Sequence, residues 1–315
     1  MKSIDVALSC DRNFLIGLYV TSHTLLKSIN NETRVNLHLF LDGISEKQIS
    51  RYQDTISRAN PEIGVQFFKY DISDIKEQAK SLNGLHGNTS PYYLLFLPSI
   101  SENLKRFIWL DVDTIVNCDV SPAYFDETTK IISAVPHKQM RFCGERKFYE
   151  SMNICLDDYE FNSGFLVVNA EEWRKQDVTS KLLPMCHVNA HLKNGADQGI
   201  LNVFFNKNFH ELDKKYNVLF GPTSTSKKCE DETYTNKVCH FFGSPKPWER
   251  VVFTSSAHSR YYEKIIKELK IADFRFNHLY SREGIYRYSR LTIRSLVKSL
   301  QLLRKIKTST IRKVN

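Results

Sequence analysis

Asp111-Val112-Asp113 closes the apolar run Phe107-Ile108-Trp109-Leu110 and is followed at once by Thr114-Ile115-Val116. In an extended chain residues i and i+2 point to the same side, so strand geometry continued through the motif aims both carboxylates at one point. Two like charges held that close need a cation, although a bare Asp-x-Asp also occurs as a polar strand end. A second constellation, Asp11 and Asn13 within Cys10-Asp11-Arg12-Asn13-Phe14, follows the apolar stretch from Ile4 to Ser9. These side chains can read a nucleobase edge or a ribose, and they are equally suited to capping the helix that follows. The third is His240-Phe241-Phe242-Gly243-Ser244-Pro245-Lys246-Pro247-Trp248. Here Gly243 allows backbone to approach a ligand, Lys246 can neutralise phosphate, and His240 is a metal-ligand type. Asp111, Asp113 and His240 would make a mixed oxygen and nitrogen set, which favours Mn2+, with Mg2+ as the alternative ion.

The elements that must position these groups alternate. Strands are predicted over Ile4 to Ser9, Val35 to Leu41, Val65 to Tyr70 and the run ending at Asp111, with helices over Phe14 to Ile29, Glu46 to Ala59, Ile72 to Leu82 and Tyr92 to Leu97. Ser45 with Gln48 three residues on is a capping box for the second helix. This order predicts an α/β fold with a mostly parallel sheet, whose ligands gather outside the carboxyl ends of the strands. Later segments read as strands over Ile131 to Val135 and Phe165 to Asn169, a helix from Glu171 with Asn169 as N-cap, and a helix after Asp197. Val218 to Asn236 reads as a loop over the site. Neither Gly-x-Gly-x-x-Gly nor Gly-x-x-x-x-Gly-Lys-Ser/Thr occurs, which counts against a dinucleotide fingerprint and a P-loop.

The 315 residues, 42% hydrophobic and 12% aromatic, suffice for a large core. Seven scattered cysteines without a Cys-x-x-Cys pair argue for a reducing compartment and against a zinc ribbon. The formal charge of +9 resides in the tail, because nine Lys and Arg but no Asp or Glu follow Glu283. Ile293, Leu296, Val297, Leu300 and Leu303 recur there at helical spacing beside Arg290, Arg294, Lys298 and Lys305. Such a helix suits an anionic membrane surface, or packs on the domain, or binds a protein partner. No nucleic-acid module accompanies it, so no nucleic acid is expected. No window approaches the roughly 18 apolar residues of a membrane span. The expected location is cytoplasmic, peripheral to the inner face of the cytoplasmic membrane.

Ala7-Leu8-Ser9-Cys10-Asp11-Arg12-Asn13-Phe14, Leu110-Asp111-Val112-Asp113, Phe161-Asn162-Ser163-Gly164 with Trp173-Arg174, Asp197-Gln198 with Ile200-Leu201-Asn202, and His240 to Trp248 occur in that order. In them the chain resembles the retaining glycosyltransferases of family 8, the class that includes bacterial lipopolysaccharide galactosyl- and glucosyltransferases and glycogenin. The resemblance implies a GT-A type, Rossmann-like mixed sheet flanked by helices over 1–275, followed by a basic amphipathic helical tail over 276–315. By position it implies that Asp11 and Asn13 contact uridine, and that Asp111, Asp113 and His240 bind Mn2+. Gly243 and Lys246 would hold the diphosphate, while Asn162, Asp197 and Gln198 would line the donor sugar and the reacting face. Val112 and Ser163 lie in the same motifs and are counted with the donor-binding residues. On the residues alone, Asn162 also suits a turn before the strand from Phe165, and Asp197 a helix cap.

The implied reaction moves galactose or glucose from a UDP-sugar to a saccharide acceptor, lipid-linked acceptors included, in lipopolysaccharide or surface glycan synthesis. Retention follows from two displacements or from same-face attack; Gln198 is an amide and a poor nucleophile, which favours same-face attack. Leu94, in Pro91-Tyr92-Tyr93-Leu94-Leu95, stands where the family has an Arg, and Arg12 and Lys138 are candidates to replace that guanidinium. His137, in Ala134-Val135-Pro136-His137, stands where some galactosyltransferase relatives carry an acceptor-side carboxylate, which implies a different acceptor. Other classes stand beside this one: a UDP-sugar-binding protein without turnover, a metal-dependent phosphohydrolase or nucleotidyltransferase using Asp111 and Asp113, and an adaptor acting through the tail.

Overall fold

The structure, a computed structural model, describes residues 2–80, 82, 89–192, 197–221, 233–244, 246–250, 257–271 and 277–278. The chain divides into two compact units, Met1–Leu219 with Tyr234–His240, and Phe220–Thr233 with Phe241–Asn315. The first unit opens with the predicted alternation: β1 (Lys2–Asp11), α1 (Leu15–Ser28), β2 (Thr33–Asp42), α2 (Glu46–Ala59), β3 (Val65–Lys69), α3 (Ser73–Lys80), α4 (Tyr93–Ile100) and β4 (Arg106–Leu110). The capping box forms as predicted, with the Gln48 N–H donating to the Ser45 hydroxyl and the Ser45 N–H to the Gln48 side chain. Beyond β4 come β5 (Thr114–Val116), α5 (Ser121–Phe125), β6 (Ile132–Gln139), α6 (Arg146–Ser151), β7 (Tyr159–Asn169), α7 (Ala170–Lys175), α8 (Val178–Met185), α9 (Gln198–Phe204), β8 (His210–Glu211), β9 (Val218–Leu219) and β10 (Val238–His240). Asn169 caps α7 by accepting from the Glu172 N–H.

Seven strands form one mixed sheet in the order β3-β2-β1-β4-β7-β6-β8. β3, β2, β1 and β4 are parallel, β7 is antiparallel to both β4 and β6, and β8 is parallel to β6. Phe107, Ile108, Trp109 and Leu110 of β4 are all buried, as a strand covered on both faces requires. Phe107 and Trp109 share one apolar cluster with Leu94 to Leu97 of α4, Trp173 of α7, Leu182 of α8 and Ile200 and Leu201 of α9.

β7 overturns one reading of the sequence. The strand starts at Tyr159 rather than Phe165, so Asn162 is a strand residue and not a turn residue. The polar pair Asn162-Ser163 interrupts the apolar pattern that marks a strand, and the interruption was read as its end. Because β7 runs antiparallel to β4, its amino-terminal half reaches the carboxyl end of β4. Leu110 pairs with Phe165, and the Asp111 N–H donates to the Gly164 carbonyl at 2.9 Å.

A small sheet, β5-β10-β9, carries the chain across the same end. β10 pairs antiparallel with β5, placing His240 opposite Thr114, the residue after Asp113. Helix α1 is buried from Gly17 to Leu26 and turns hydroxyls toward this segment. Thr21 Oγ1 lies 3.0 Å from the Val112 carbonyl and 2.7 Å from that of Thr114. Thr24 Oγ1 accepts from the Val116 N–H at 3.1 Å, and the Ser28 hydroxyl donates to the Val116 carbonyl at 2.7 Å. Spacings of three and four residues set these hydroxyls on one helix face. They satisfy backbone groups that would otherwise be buried without partners.

In the second unit β11 (Glu249–Arg250) pairs in parallel with β12 (Asn277–His278). There α10 (Ala257–Glu268) packs His258 and Tyr262 on Phe241, and Tyr262 on Trp248. The predicted tail helix, the boundary at 275–276 and most of the expected site loop lie outside the described residues; the first two residues of that loop form β9. Among the described residues no helix is long and apolar enough to cross a membrane.

Replacing Thr21 with Val keeps the shape and strips the hydroxyl from two buried carbonyls. Thr21→Val is expected to cost roughly 1–3 kcal/mol in urea unfolding; a variant as stable as the wild type would show that the hydroxyl does not pin the motif.

Candidate active site

The two local features that frame the site are the end of β4 and the crossing of β10. Together they bring Asp111, Asp113 and His240 into one cluster whose ligand atoms lie within 4.8 Å of one another. His240 Nε2 is 3.2 Å from Asp113 Oδ1 and 3.6 Å from Asp111 Oδ2. The side chains of Asp113 and His240 are 9% and 4% exposed, against 40% for Asp111. Two of the three candidate ligands are therefore built into the protein and the third faces outward. The donor set, two carboxylates and one imidazole nitrogen converging on one space, fits a divalent ion.

Gly164 makes this approach feasible. A Cβ at that position would overlap the His240 ring at Cε1 and Nδ1, so only glycine lets β7 pass beside the imidazole.

Asn162 and Gln198 meet, with Asn162 Nδ2 donating to Gln198 Oε1 at 2.8 Å. Asn202 clamps their two elements together. Its amide accepts from the Phe161 N–H at 2.8 Å and donates to the Phe161 carbonyl at 2.8 Å and to the Gln198 carbonyl at 2.9 Å. Asp197 is buried at the N-cap position of α9; its side chain makes no hydrogen bond of the standard capping kind, but the backbone N–H groups of Asp197 and Gln198 favour its charged form. Burial first and the Asp111 charge second push its carboxyl up to about 7, against the pull of the Ser163 hydroxyl. The shift links Asp197 electrostatically to the carboxylate cluster and places Ser163 beside it.

At the end of β1, Asp11 Oδ1 accepts from the N–H groups of Asn13 at 2.8 Å and Phe14 at 3.1 Å. Asp11 thus caps the short 3-10 turn Arg12–Phe14 that leads into α1, whose own N-cap, Phe14, offers no side-chain hydrogen bond, and Asn13 is exposed in that turn. Val112 is buried, its carbonyl held by Thr21. Gly243 and Lys246 belong to the second unit. Gly243 has φ +80°, a left-handed conformation that favours glycine, and Lys246 Nζ donates to the Phe241 carbonyl at 3.1 Å.

Leu94 is wholly buried in the apolar cluster, where a guanidinium would lose its hydration. Of its two candidate replacements, Arg12 reaches the Gly43 carbonyl at 3.4 Å and Lys138 lies 3.7 Å from Glu160. His137 is exposed on β6. The residue the sequence did not flag is Asn217, just before β9. Its Oδ1 is 3.2 Å from His240 Nδ1 and its Nδ2 3.0 Å from Asn162 Oδ1. Only a polar residue between Tyr216 and Val218 hinted at it.

The sequence model described as Glycosyl transferase family 8 matches residues 5–251. The chain belongs to that family. General stress protein A of Bacillus subtilis strain 168 is 27% identical over 261 residues, 76% of this chain and 86% of that protein. Lipopolysaccharide 1,2-glucosyltransferase of Escherichia coli is 22% identical over 262 residues, 78% of this chain and 74% of that protein. A crystal structure of the galactosyltransferase LgtC with donor and acceptor sugar analogs has a TM-score of 0.66 at 21% identity, covering 85% of this chain and 96% of that one. The family's GT-A fold is the mixed sheet described above, and the five sequence motifs all fall within or beside the matched span.

Two substitutions probe the framework. Gly164→Ala is expected to push His240 aside and weaken Mn2+ binding by about tenfold or more, the scale of lost support around a ligand. Electron paramagnetic resonance titration of free Mn2+ reads this, and unchanged affinity in a folded variant would count against the close approach. Asn202→Ala strands the Phe161 N–H and carbonyl and is expected to cost on the order of 3 kcal/mol in urea unfolding.

Proposed function

We propose that this family 8 glycosyltransferase moves a hexose, galactose or glucose, from a UDP-sugar to a saccharide acceptor with retention of configuration, in lipopolysaccharide or other surface glycan synthesis. The observation that carries the reading is the convergence of Asp111, Asp113 and His240 beside the Asn162–Gln198 pair and the buried Asp197. Three possible cation ligands beside a group of polar side chains at the carboxyl end of β4 support this reading. The Escherichia coli relative is a lipopolysaccharide glucosyltransferase and LgtC a galactosyltransferase, which supports the choice of hexose and of glycan context.

Asp111, Asp113 and His240 would hold Mn2+, which supplies Lewis-acid stabilisation of the charge growing on the departing diphosphate. Asp111, the exposed ligand, would also face the ribose. Asp11 and Asn13 at the end of β1 would contact the uridine, with Val112 and Ser163 beside the donor, and Gly243 and Lys246 would hold the diphosphate. Asn162 and Gln198 would orient the sugar through their amides, and Asp197 would hydrogen-bond to it. Gln198 Oε1 already accepts from Asn162, which further weakens it as a nucleophile and supports same-face attack. A covalent sugar adduct on Asp197 would overturn that route. The acceptor is read as a saccharide, lipid-linked in the envelope setting, and the basic tail as the contact with the anionic inner membrane face.

The deciding assay is UDP release from a panel of UDP-sugars, with Mn2+ or with a chelator, for the wild type and Asp113→Ala. The expected result is metal-dependent release from one sugar, reduced about 100-fold or more by the substitution. Metal-dependent UDP binding without release from any sugar, with acceptors supplied, would replace transfer by a binding role.

A further inference from the structure

The hydrogen-bond chain through Asn217 leaves no freedom in the direction of its donors. It begins at a group whose role is fixed, the Gly164 backbone N–H, which lies 3.0 Å from Asn162 Oδ1 and can only donate. The Asn162 amide is thereby oriented, and its Nδ2 faces Gln198 Oε1. A second fixed group is the Asn162 backbone carbonyl, which can only accept and lies 3.2 Å from Asn217 Nδ2. The same nitrogen reaches Asn162 Oδ1 at 3.0 Å. With its amine end so committed, Asn217 turns its oxygen to His240 Nδ1, 3.2 Å away. That ring nitrogen must therefore carry a proton. The other, Nε2, is the atom set against Asp113 and Asp111.

We infer that Asn217 is a positioning residue for the cation site: by accepting from Nδ1–H it fixes the tautomer and ring orientation of His240 that present the Nε2 lone pair to the metal. It also ties this ligand to the Asn162–Gln198 pair, so the cation site and these amides are held by one hydrogen-bonded chain. Asn217 and His240 are both buried, so water does not substitute for the amide. The inference rests on the cation reading of the previous subsection.

The test uses the full chain. Mn2+ affinity is measured by paramagnetic resonance for the wild type, Asp113→Ala, Asn217→Ala and Asn217→Asp. Asn217→Ala is expected to weaken binding about 10- to 100-fold, the usual cost of removing a group that orients a metal-bound histidine. Asn217→Asp keeps an acceptor for Nδ1–H and loses the donor to Asn162, so it should restore most of the affinity; a merely structural role predicts no such rescue. In parallel, nitrogen-15 histidine spectra of the zinc-loaded wild type, with His240→Gln identifying the signal, should show a protonated Nδ1 and a coordinated Nε2. A protonated Nε2 with coordinated Nδ1 overturns the inference, and this readout decides alone if Asn217→Ala does not fold. Binding lost in Asp113→Ala but unchanged in Asn217→Ala overturns the inference and spares the cation site. A wild-type chain that binds neither ion overturns both.

Discussion

Asp113 and His240 are ionisable groups removed almost entirely from water, beside a third, Asp111, that is not. Burying such groups costs several kcal/mol each unless opposite charge and hydrogen bonds compensate. Much of the first unit can be understood as the scaffold that makes this arrangement tolerable. β4 ends where Asp111 begins, β7 passes close because Gly164 has no side chain, and β10 brings the imidazole in by pairing with β5. Helix α1 holds the intervening backbone through Thr21, Thr24 and Ser28. The motif's backbone is thus held from the helix side.

Neutral amides do the orienting around this charged centre. Asn162, Asn202 and Asn217 each fix two or more neighbours without adding a formal charge. An ammonium in their place would repel a cation held by the carboxylates and would act on the carboxyl of Asp197, which burial and the Asp111 charge already raise. The amides have a direction, which a charge lacks, so they can specify which atom of a neighbour faces the ligand.

The parts that were legible from sequence have a local signature. The burial of β4, the box at Ser45 and Gln48, and the cap at Asn169 are written within a few residues of themselves. The carboxylate pair was legible because it interrupts an apolar run at a strand end. His240 was recognised as a ligand type, but its meeting with Asp113 depends on a strand pairing between segments far apart in sequence, which leaves no periodic mark. Asn217 was invisible for the same reason, and the need for glycine at 164 appears only once the imidazole is in place. β7 starts earlier than its apolar pattern announces because Asn162 and Ser163 are polar where the strand passes the carboxylate cluster.

The three-residue ladder between β5 and β10 also fixes the order in which the molecule can become competent. The carboxylates are synthesised early, and the strands that frame them, β1 to β4, form parallel neighbours among the first 110 residues. The imidazole comes only with β10, which follows β7 and α9 in the chain. Closing that long loop carries an entropic cost that grows with its length. A nascent chain on the ribosome therefore carries both carboxylates of the cluster long before it carries the imidazole, which is added only when translation reaches residue 240.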